Sequence, residues 1–180
     1  MKILLIKGLD IKFMNFLNEK KYDYSSVQVS LENTEVQDIL KDFEINKDDL
    51  SGYGKETEPH ITIKYGLHTG NFKEVHDLLK DVKPIVATLG KISLFENDED
   101  VIKVDIKGKD LHDLNKYISD NLKCTDTYPD YNPHMTIAYV KKGAGKKYIK
   151  NSDFENKKIV FNEIEFSNKN GNKEKIILKG

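Results

Sequence analysis

Pro59-His60-Ile61-Thr62-Ile63-Lys64-Tyr65 returns later in the chain as Pro133-His134-Met135-Thr136-Ile137-Ala138-Tyr139. Five of the seven positions are identical, and the two histidines stand 74 residues apart in a chain of 180, which argues against coincidence. Each copy alternates with period two, the side-chain repeat of a β-strand. Simple alternation puts His60, Thr62 and Lys64 on one face and Ile61, Ile63 and Tyr65 on the other. His134 and Thr136 fall likewise opposite Met135, Ile137 and Tyr139. The pattern predicts two matching antiparallel sheets, each presenting one imidazole and one hydroxyl to a shared cleft.

Working outward from the first copy, Val27-Gln28-Val29-Ser30-Leu31 alternates as a strand. Asn33 or Thr34 can cap a helix carrying Val36, Ile39, Leu40 and Phe43. Asn46 to Thr57, with Gly52 and Gly54, reads as a polar loop beside the candidate site. After the motif strand closes at Gly66, Asn71 can cap a helix that buries Phe72, Val75, Leu78 and Leu79. Ile85 to Leu89 and Ile92 to Phe95 read as strand broken at Gly90, and Glu96 to Asp100 as a hairpin turn into Val101 to Ile106, where the first half ends. In the second half, Leu111, Leu114, Tyr117, Ile118 and Leu122 recur at helical spacing ahead of the second copy. Lys141 to Lys150 forms a basic loop, either a solvated turn or a phosphate-facing flap. Two strands, Lys158 to Phe166 and Lys173 to Lys179, close the chain. The residues before Tyr24 read as strand at Ile3 to Ile6 and as helix at Phe13, Phe16 and Leu17.

This order of elements predicts an α+β fold, one domain over residues 1–180, built as two halves. The formal charge of −1 gives no broad basic track for long nucleic acid. All 29 basic residues are lysine. Bidentate guanidinium clamping is therefore impossible, and a phosphate must be held by His, Thr, Lys or backbone N–H. The lone Cys124 excludes an internal disulfide and a cysteine-based zinc site, which fits the cytosol. The apolar run Ile3 to Ile6 is too short for a secretory core, and no run reaches the roughly 20 residues of a membrane span.

Two imidazoles facing one phosphodiester can divide the work of phosphoryl transfer. One, neutral, takes a proton from the attacking oxygen, and the other, protonated, gives one to the leaving oxygen. The threonine two residues on can hydrogen-bond a non-bridging phosphate oxygen. Neither copy shows the H-x-H or H-E-x-x-H spacing of a metal site, and the arrangement requires no metal. Which histidine is base and which is acid stays open. His68, His76 and His112 have no matching context and read as structural.

The paired His-x-Thr strands, each followed by an apolar residue and an aromatic one, resemble the 2H phosphoesterase superfamily, which includes RNA 2′,3′-cyclic phosphodiesterases and RNA ligase-like proteins. Glu58-Pro59-His60-Ile61-Thr62-Ile63-Lys64-Tyr65-Gly66-Leu67 looks most like its phage anti-CBASS branch, enzymes that linearise cyclic di- and trinucleotide immune signals. The segments Tyr24-Ser25-Ser26-Val27 and Phe166-Ser167 support that branch less specifically. The resemblance implies a bilobal fold of two antiparallel sheets related by a pseudo-two-fold axis, with flanking helices, a metal-independent cleft and no cofactor. It carries catalytic roles onto His60, Thr62, His134 and Thr136. A ribose 2′-OH would attack the adjacent phosphate, and water would open the resulting 2′,3′-cyclic phosphate.

The implied partner is a cyclic oligonucleotide or other small phosphodiester, met in the host cytoplasm if the chain is phage-encoded, with no membrane involved. A short RNA end is the alternative substrate. A non-catalytic binding protein is a third reading, opposed by the retention of both His and both Thr. Family members often hold bases with aromatic side chains, and in a chain without Trp the candidate is Tyr24. Lys64 is a candidate phosphate contact not duplicated at Ala138, and Glu163, with Glu165, a candidate contact to a base edge.

Overall fold

The computed structural model describes residues 22–179 except 33, 42, 129, 150, 151 and 153. The expected elements before Tyr22 and the cap at Asn33 lie outside these residues.

Among the described residues the strands are β1 (Ser25–Ser30), β2 (Leu50–Lys55), β3 (His60–Leu67), β4 (Ile85–Glu96), β5 (Glu99–Lys107), β6 (His134–Lys141), β7 (Lys158–Phe161), β8 (Glu163–Ser167) and β9 (Lys173–Ile177). The helices are α1 (Glu35–Lys41), α2 (Phe72–Leu79) and α3 (Lys109–Asn121). The strands run in the order β7-β4-β5-β6-β3-β1-β8-β9, with β2 added beside β6. Every described pairing is antiparallel. The fold is α+β, as expected.

The two expected sheets are two four-stranded lobes of one sheet, β3-β1-β8-β9 and β6-β5-β4-β7. They join where Ile61 pairs with Met135. Sequence order had put β4 and β5 in the first half, but pairing places both with the second motif strand. The expected strand from Lys158 to Phe166 is broken at Asn162, and its two parts serve opposite flanks of the sheet. One residue can join them only because the sheet curls until its flanks approach. There Leu178 donates its N–H to the Asn162 carbonyl and Lys179 donates to Val82.

The core fills the helix-bearing face. Val27, Val29, Ile61, Ile63, Met135 and Ile137 from the strands meet Val75 and Leu79 of α2 and Leu111, Leu114 and Ile118 of α3. Asn71 caps α2 by accepting from the Lys73 N–H, and Thr34 caps α1 by accepting from Gln37. Tyr117, expected on the buried stripe of α3, is exposed because Leu111, Leu114 and Ile118 already form the line that meets the sheet. The expected loop 46–57 instead contains β2, whose ends pair with Val140 and Ala138 of β6. Its two glycines disguised a strand, since an edge position tolerates them.

Candidate active site

Both motif strands break their own alternation at the same place. In β3, Gln28 pairs with Thr62 but Val27 pairs with Lys64, leaving Ile63 as an extra residue. In β6, Lys103 pairs with Thr136 but Ile102 pairs with Ala138, leaving Ile137 as the extra residue. These are β-bulges, and each frees a carbonyl from the ladder. The Ile63 carbonyl accepts from the Asn115 side chain of α3 at 2.6 Å, and the Ile137 carbonyl accepts from the Glu56 N–H at 2.9 Å.

The bulge rephases everything after it. Lys64 turns to the face of Val27, is buried, and pairs with Asp126 at 2.5 Å. It therefore does not share the face of His60 and Thr62, contrary to the expectation from alternation. Tyr65 and Tyr139, expected among the packing residues, come instead onto the His-Thr face. There the Thr136 side chain bears on the Tyr139 phenol, and its influence favours the ionised form. Burial, with the negative charge of Glu56 next, raises the Tyr139 phenol above its ordinary pKa, so it remains a hydroxyl at neutral pH.

The central Ile61–Met135 pair fixes the mutual placement of the two motifs. Continued one residue either way, that antiparallel register sets His60 beside Thr136 and Thr62 beside His134. With strands about 4.8 Å apart and two residues spanning about 6.6 Å, the two histidine positions lie roughly 8 Å apart on the diagonal. A phosphate fits between imidazoles reaching in from such a spacing.

The histidines are held alike. His60 Nδ1 meets the Glu58 carbonyl at 2.8 Å and His134 Nδ1 meets the Asn132 carbonyl at 2.8 Å. A carbonyl only accepts, so each Nδ1 carries the hydrogen, and each Nε2 is left to exchange protons with a substrate. The intervening proline explains the match. Pro59 and Pro133 are buried, and a proline holds the residue before it extended, which aims that residue's carbonyl. Each proline carbonyl in turn accepts from the neighbouring strand, Pro59 from Leu31 and Pro133 from Ile106.

Beside the ladder the lobes differ. Next to Thr136, on the adjacent strand, lies the buried Lys103, whose ammonium donates to Ser93 Oγ at 2.7 Å and to Asp105, while Ser93 donates to the same Asp105 oxygen at 2.6 Å. Lys103 Nζ also lies 4.3 Å from the Phe95 ring centre, and Phe95 meets His134 edge-on at 4.9 Å. Next to Thr62 lies neutral Gln28, which donates to Glu165 at 2.7 Å. Burial lowers the His134 pKa, with smaller contributions from Lys103 and His60, against the Asn132 hydrogen bond and Asp105, which raise it. Sequence reasoning missed Lys103, Asp105, Tyr139 and Gln28. A signal existed in the polar alternation of Lys103 and Asp105, but only the pairing of β5 with β6 gave it meaning.

The remaining candidates are dispersed. Tyr24 packs edge-on against Tyr65 at 5.8 Å and stacks on His68 at 5.5 Å. Six residues along β1 from Ser30, the partner of His60, it sits about 20 Å down the ladder. Glu163 forms an ion pair with Lys175 at 2.6 Å, whereas its neighbour Glu165 lies beside Gln28. The basic loop is a docked turn: Lys147 pairs with Asp49, Lys146 with Glu96, and the Gly145 N–H with buried Asp100. His76 meets Asp77 and Phe72, and His112 packs against Tyr131, whose hydroxyl donates to the Thr62 carbonyl.

Residues 27–157 match the family model of the 2′-5′ RNA ligase superfamily. The chain belongs to this superfamily. The 2H phosphoesterase resemblance is met at that level, that of a phosphoesterase-type enzyme. No curated protein sequence matches. The fold is similar to TT0787 of Thermus thermophilus, with a TM-score of 0.62 and 16% identity over 87% of this chain and 98% of that one. It is also similar to a phosphoesterase, with a TM-score of 0.57 and 12% identity over 87% and 95%. Usb1 of Kluyveromyces marxianus gives 0.54 and 9% over 86% and 98%, and that protein has also been solved with uridine monophosphate. Among the described residues, no helix is long and apolar enough to cross a membrane.

Proposed function

We propose that this chain is a metal-independent phosphodiesterase that opens the 3′-5′ bonds of cyclic di- or trinucleotide signals. The observation that carries the chemistry is the matched Nδ1 hydrogen bond at His60 and His134, which leaves two Nε2 atoms to serve one phosphate. Burial favours neutral His134, making it the base of the first step and His60 the acid. The ribose 2′-OH gives its proton to His134 Nε2 as O2′ bonds to phosphorus. The bond from phosphorus to the leaving 5′-oxygen breaks, and that oxygen takes the proton of His60. Water then attacks the 2′,3′-cyclic phosphate with the roles exchanged: His60 takes the water proton and His134 returns its own to the departing ribose oxygen. Thr62 and Thr136 hydrogen-bond the non-bridging oxygens, where charge accumulates.

Support for a compact ligand comes from the small span of the four groups, the formal charge of −1 and the absence of arginine. Aromatic surfaces suited to bases lie along both lobes, with Tyr53 5.4 Å from Tyr139 in one and Tyr24, further from the histidines, beside Tyr65 in the other. Tyr24 is the proposed distal base contact, and Glu163 a proposed contact to a base edge. Such an enzyme of phage origin would act in the host cytoplasm against a cyclic-nucleotide defence. A second reading, a 2′,3′-cyclic phosphodiesterase acting on RNA ends, is favoured by the superfamily match and by a structural neighbour solved with uridine monophosphate.

The deciding experiment incubates the protein, with EDTA, against cyclic di- and trinucleotides and 2′,3′-cyclic nucleotides and reads products by mass spectrometry. Linear products from the rings support the first reading. Turnover confined to the 2′,3′-cyclic nucleotides supports the second. Tight binding without turnover of either leaves a binding protein and ends both.

A further inference from the structure

The two lobes repeat the catalytic ladder but not the strands that flank it. Beside Thr136 stands Lys103, and at the equivalent position beside Thr62 stands Gln28. Beside His134 stands Asp105, and beside His60 stands Ser30. One strand further out, Ser93 pairs with Lys103 where Glu165 pairs with Gln28. A pseudo-symmetric pair of histidines on a symmetric floor would have no reason to divide acid from base in a fixed sense.

We propose that Lys103, clamped by Ser93 and Asp105 beside Thr136, is the positioning residue that gives the paired-histidine site its direction, with Gln28 as its neutral counterpart beside Thr62. Direction here means that the attacking oxygen enters on the His134 side and the leaving oxygen on the His60 side. The substrate end of this statement rests on the phosphodiesterase reading; the charge asymmetry does not.

The geometry supports an action through charge. Two of the three ammonium donors are committed to Ser93 and Asp105, and the head lies over the Phe95 ring. Phe95 in turn meets His134 edge-on, so the cation, the ring and the imidazole form one packed group. Only 7% of Lys103 is exposed, so its field is little screened by solvent. The groups facing His134 are Phe95 from β4, Lys103 and Asp105 from β5, and His60 from β3, with Lys91 acting further off on Asp105. Lys103 opposes a proton on His134 and Asp105 favours one. Removing either partner therefore moves the imidazole in opposite senses, which a purely structural pair would not do.

The test follows the His134 ring protons by NMR across pH in the unliganded protein, assigned with His134→Ala. Lys103→Met keeps the aliphatic stem and removes the charge. It is expected to raise the His134 midpoint by at least half a pH unit, whereas Asp105→Asn lowers it and Lys103→Arg leaves it within a few tenths. Circular dichroism and thermal melting check the fold, and Lys103→Gln, which copies the Gln28 floor, replaces Lys103→Met if the latter does not fold. In turnover, Lys103→Met is expected to lower kcat about tenfold with little change in KM. That is less than the 10²–10³ of a donor in direct contact. The acidic limb of the pH profile should rise with the NMR midpoint. An unmoved midpoint in the charge-removing variants Lys103→Met and Lys103→Gln, or movement in the same sense for Lys103→Met and Asp105→Asn, overturns the proposal. If neither Lys103→Met nor Lys103→Gln folds, the sign of the Asp105→Asn shift alone decides. Opposite shifts in a protein that cleaves none of the panel would retain Lys103 as the polarising residue and remove the phosphodiesterase reading instead.

Discussion

The lobe built on β3 and the lobe built on β6 agree in their backbone and disagree in their charge. In both, a buried proline aims a carbonyl at histidine Nδ1, and a bulge one residue after the threonine swings the tyrosine back onto the histidine's face. In one, the floor is Gln28 and Glu165; in the other it is Lys103, Asp105 and Ser93. The ladder is thus a device for placing reactive groups, and the floor decides what protonation state they hold. Duplicating the ladder gives two imidazoles. Only a difference beneath it gives an acid and a base.

The strongest way to break this comparison is to remove one imidazole at a time. His60→Ala and His134→Ala should each lower kcat by about 10²–10⁴, the usual contribution of a positioned proton-transfer group. They should differ in pH profile: His134→Ala should abolish the acidic limb and His60→Ala the basic one. Equal profiles in steady-state assays from pH 4 to 9 would mean that the lobes are interchangeable.

A second difference is structural. After the bulge at Ile63, β3 takes another at Gly66, where Ser26 pairs with Tyr65 and Ser25 with Leu67. Gly66 has φ +96°, and a Cβ there would stand 2.0 Å from the Thr125 carbonyl oxygen. The matching residue in β6 is Val140, which pairs in plain register with Asp100. Gly66→Ala should therefore cost about 3 kcal/mol of stability, through strain and overpacking together. Val140→Ala, at a fully buried position, should cost about 1–2 kcal/mol through lost burial. Urea denaturation of the two variants would measure both.

What the sequence made legible was the part that repeats. His60, Thr62, His134 and Thr136 stand in strands with an apolar opposite face, and three-and-four spacing exposed Leu111, Leu114 and Ile118. Lys64 was misplaced because alternation assumes an unbroken pleat, and nothing local to Ile63 announces a bulge. Its carbonyl is satisfied by Asn115, 52 residues away. Lys103 was unreadable for a related reason. Its place beside Thr136 depends on a strand pairing, and the lobe to which β5 belongs is not the one that its position in the chain suggests.

The charge difference also carries a smaller consequence for stability. The His134 pKa is lowered by burial, so between that value and the unfolded value near 6.5 the unfolded chain binds more protons than the native one. Stability from this group is complete above about pH 6.5 and falls as pH drops toward the native value. In His134→Gln that part of the pH dependence should vanish, as denaturation midpoints between pH 5 and 7.5 would show. Were the slope unchanged, burial of this lobe's histidine would not be coupled to its charge.

The finest distinction lies in the tyrosines that the bulges return to the site. Tyr139 has its phenol close enough to Thr136 for the two side chains to influence one another, so its hydroxyl can orient the group meant to hold a phosphate oxygen. Tyr65 instead presents its ring to the edge of Tyr24, and its contribution is surface for stacking. Tyr139→Phe removes that hydroxyl and should slow turnover about threefold to tenfold, mainly in kcat. Tyr65→Phe keeps the ring and should leave kcat within about twofold, whereas Tyr65→Ala should raise KM through the lost aromatic surface. The pair of kcat and KM measurements separates orientation from contact. If Tyr65→Phe slowed turnover as much as Tyr139→Phe, the two bulges would deliver the same function, and the asymmetry of the lobes would end at the floor beneath them.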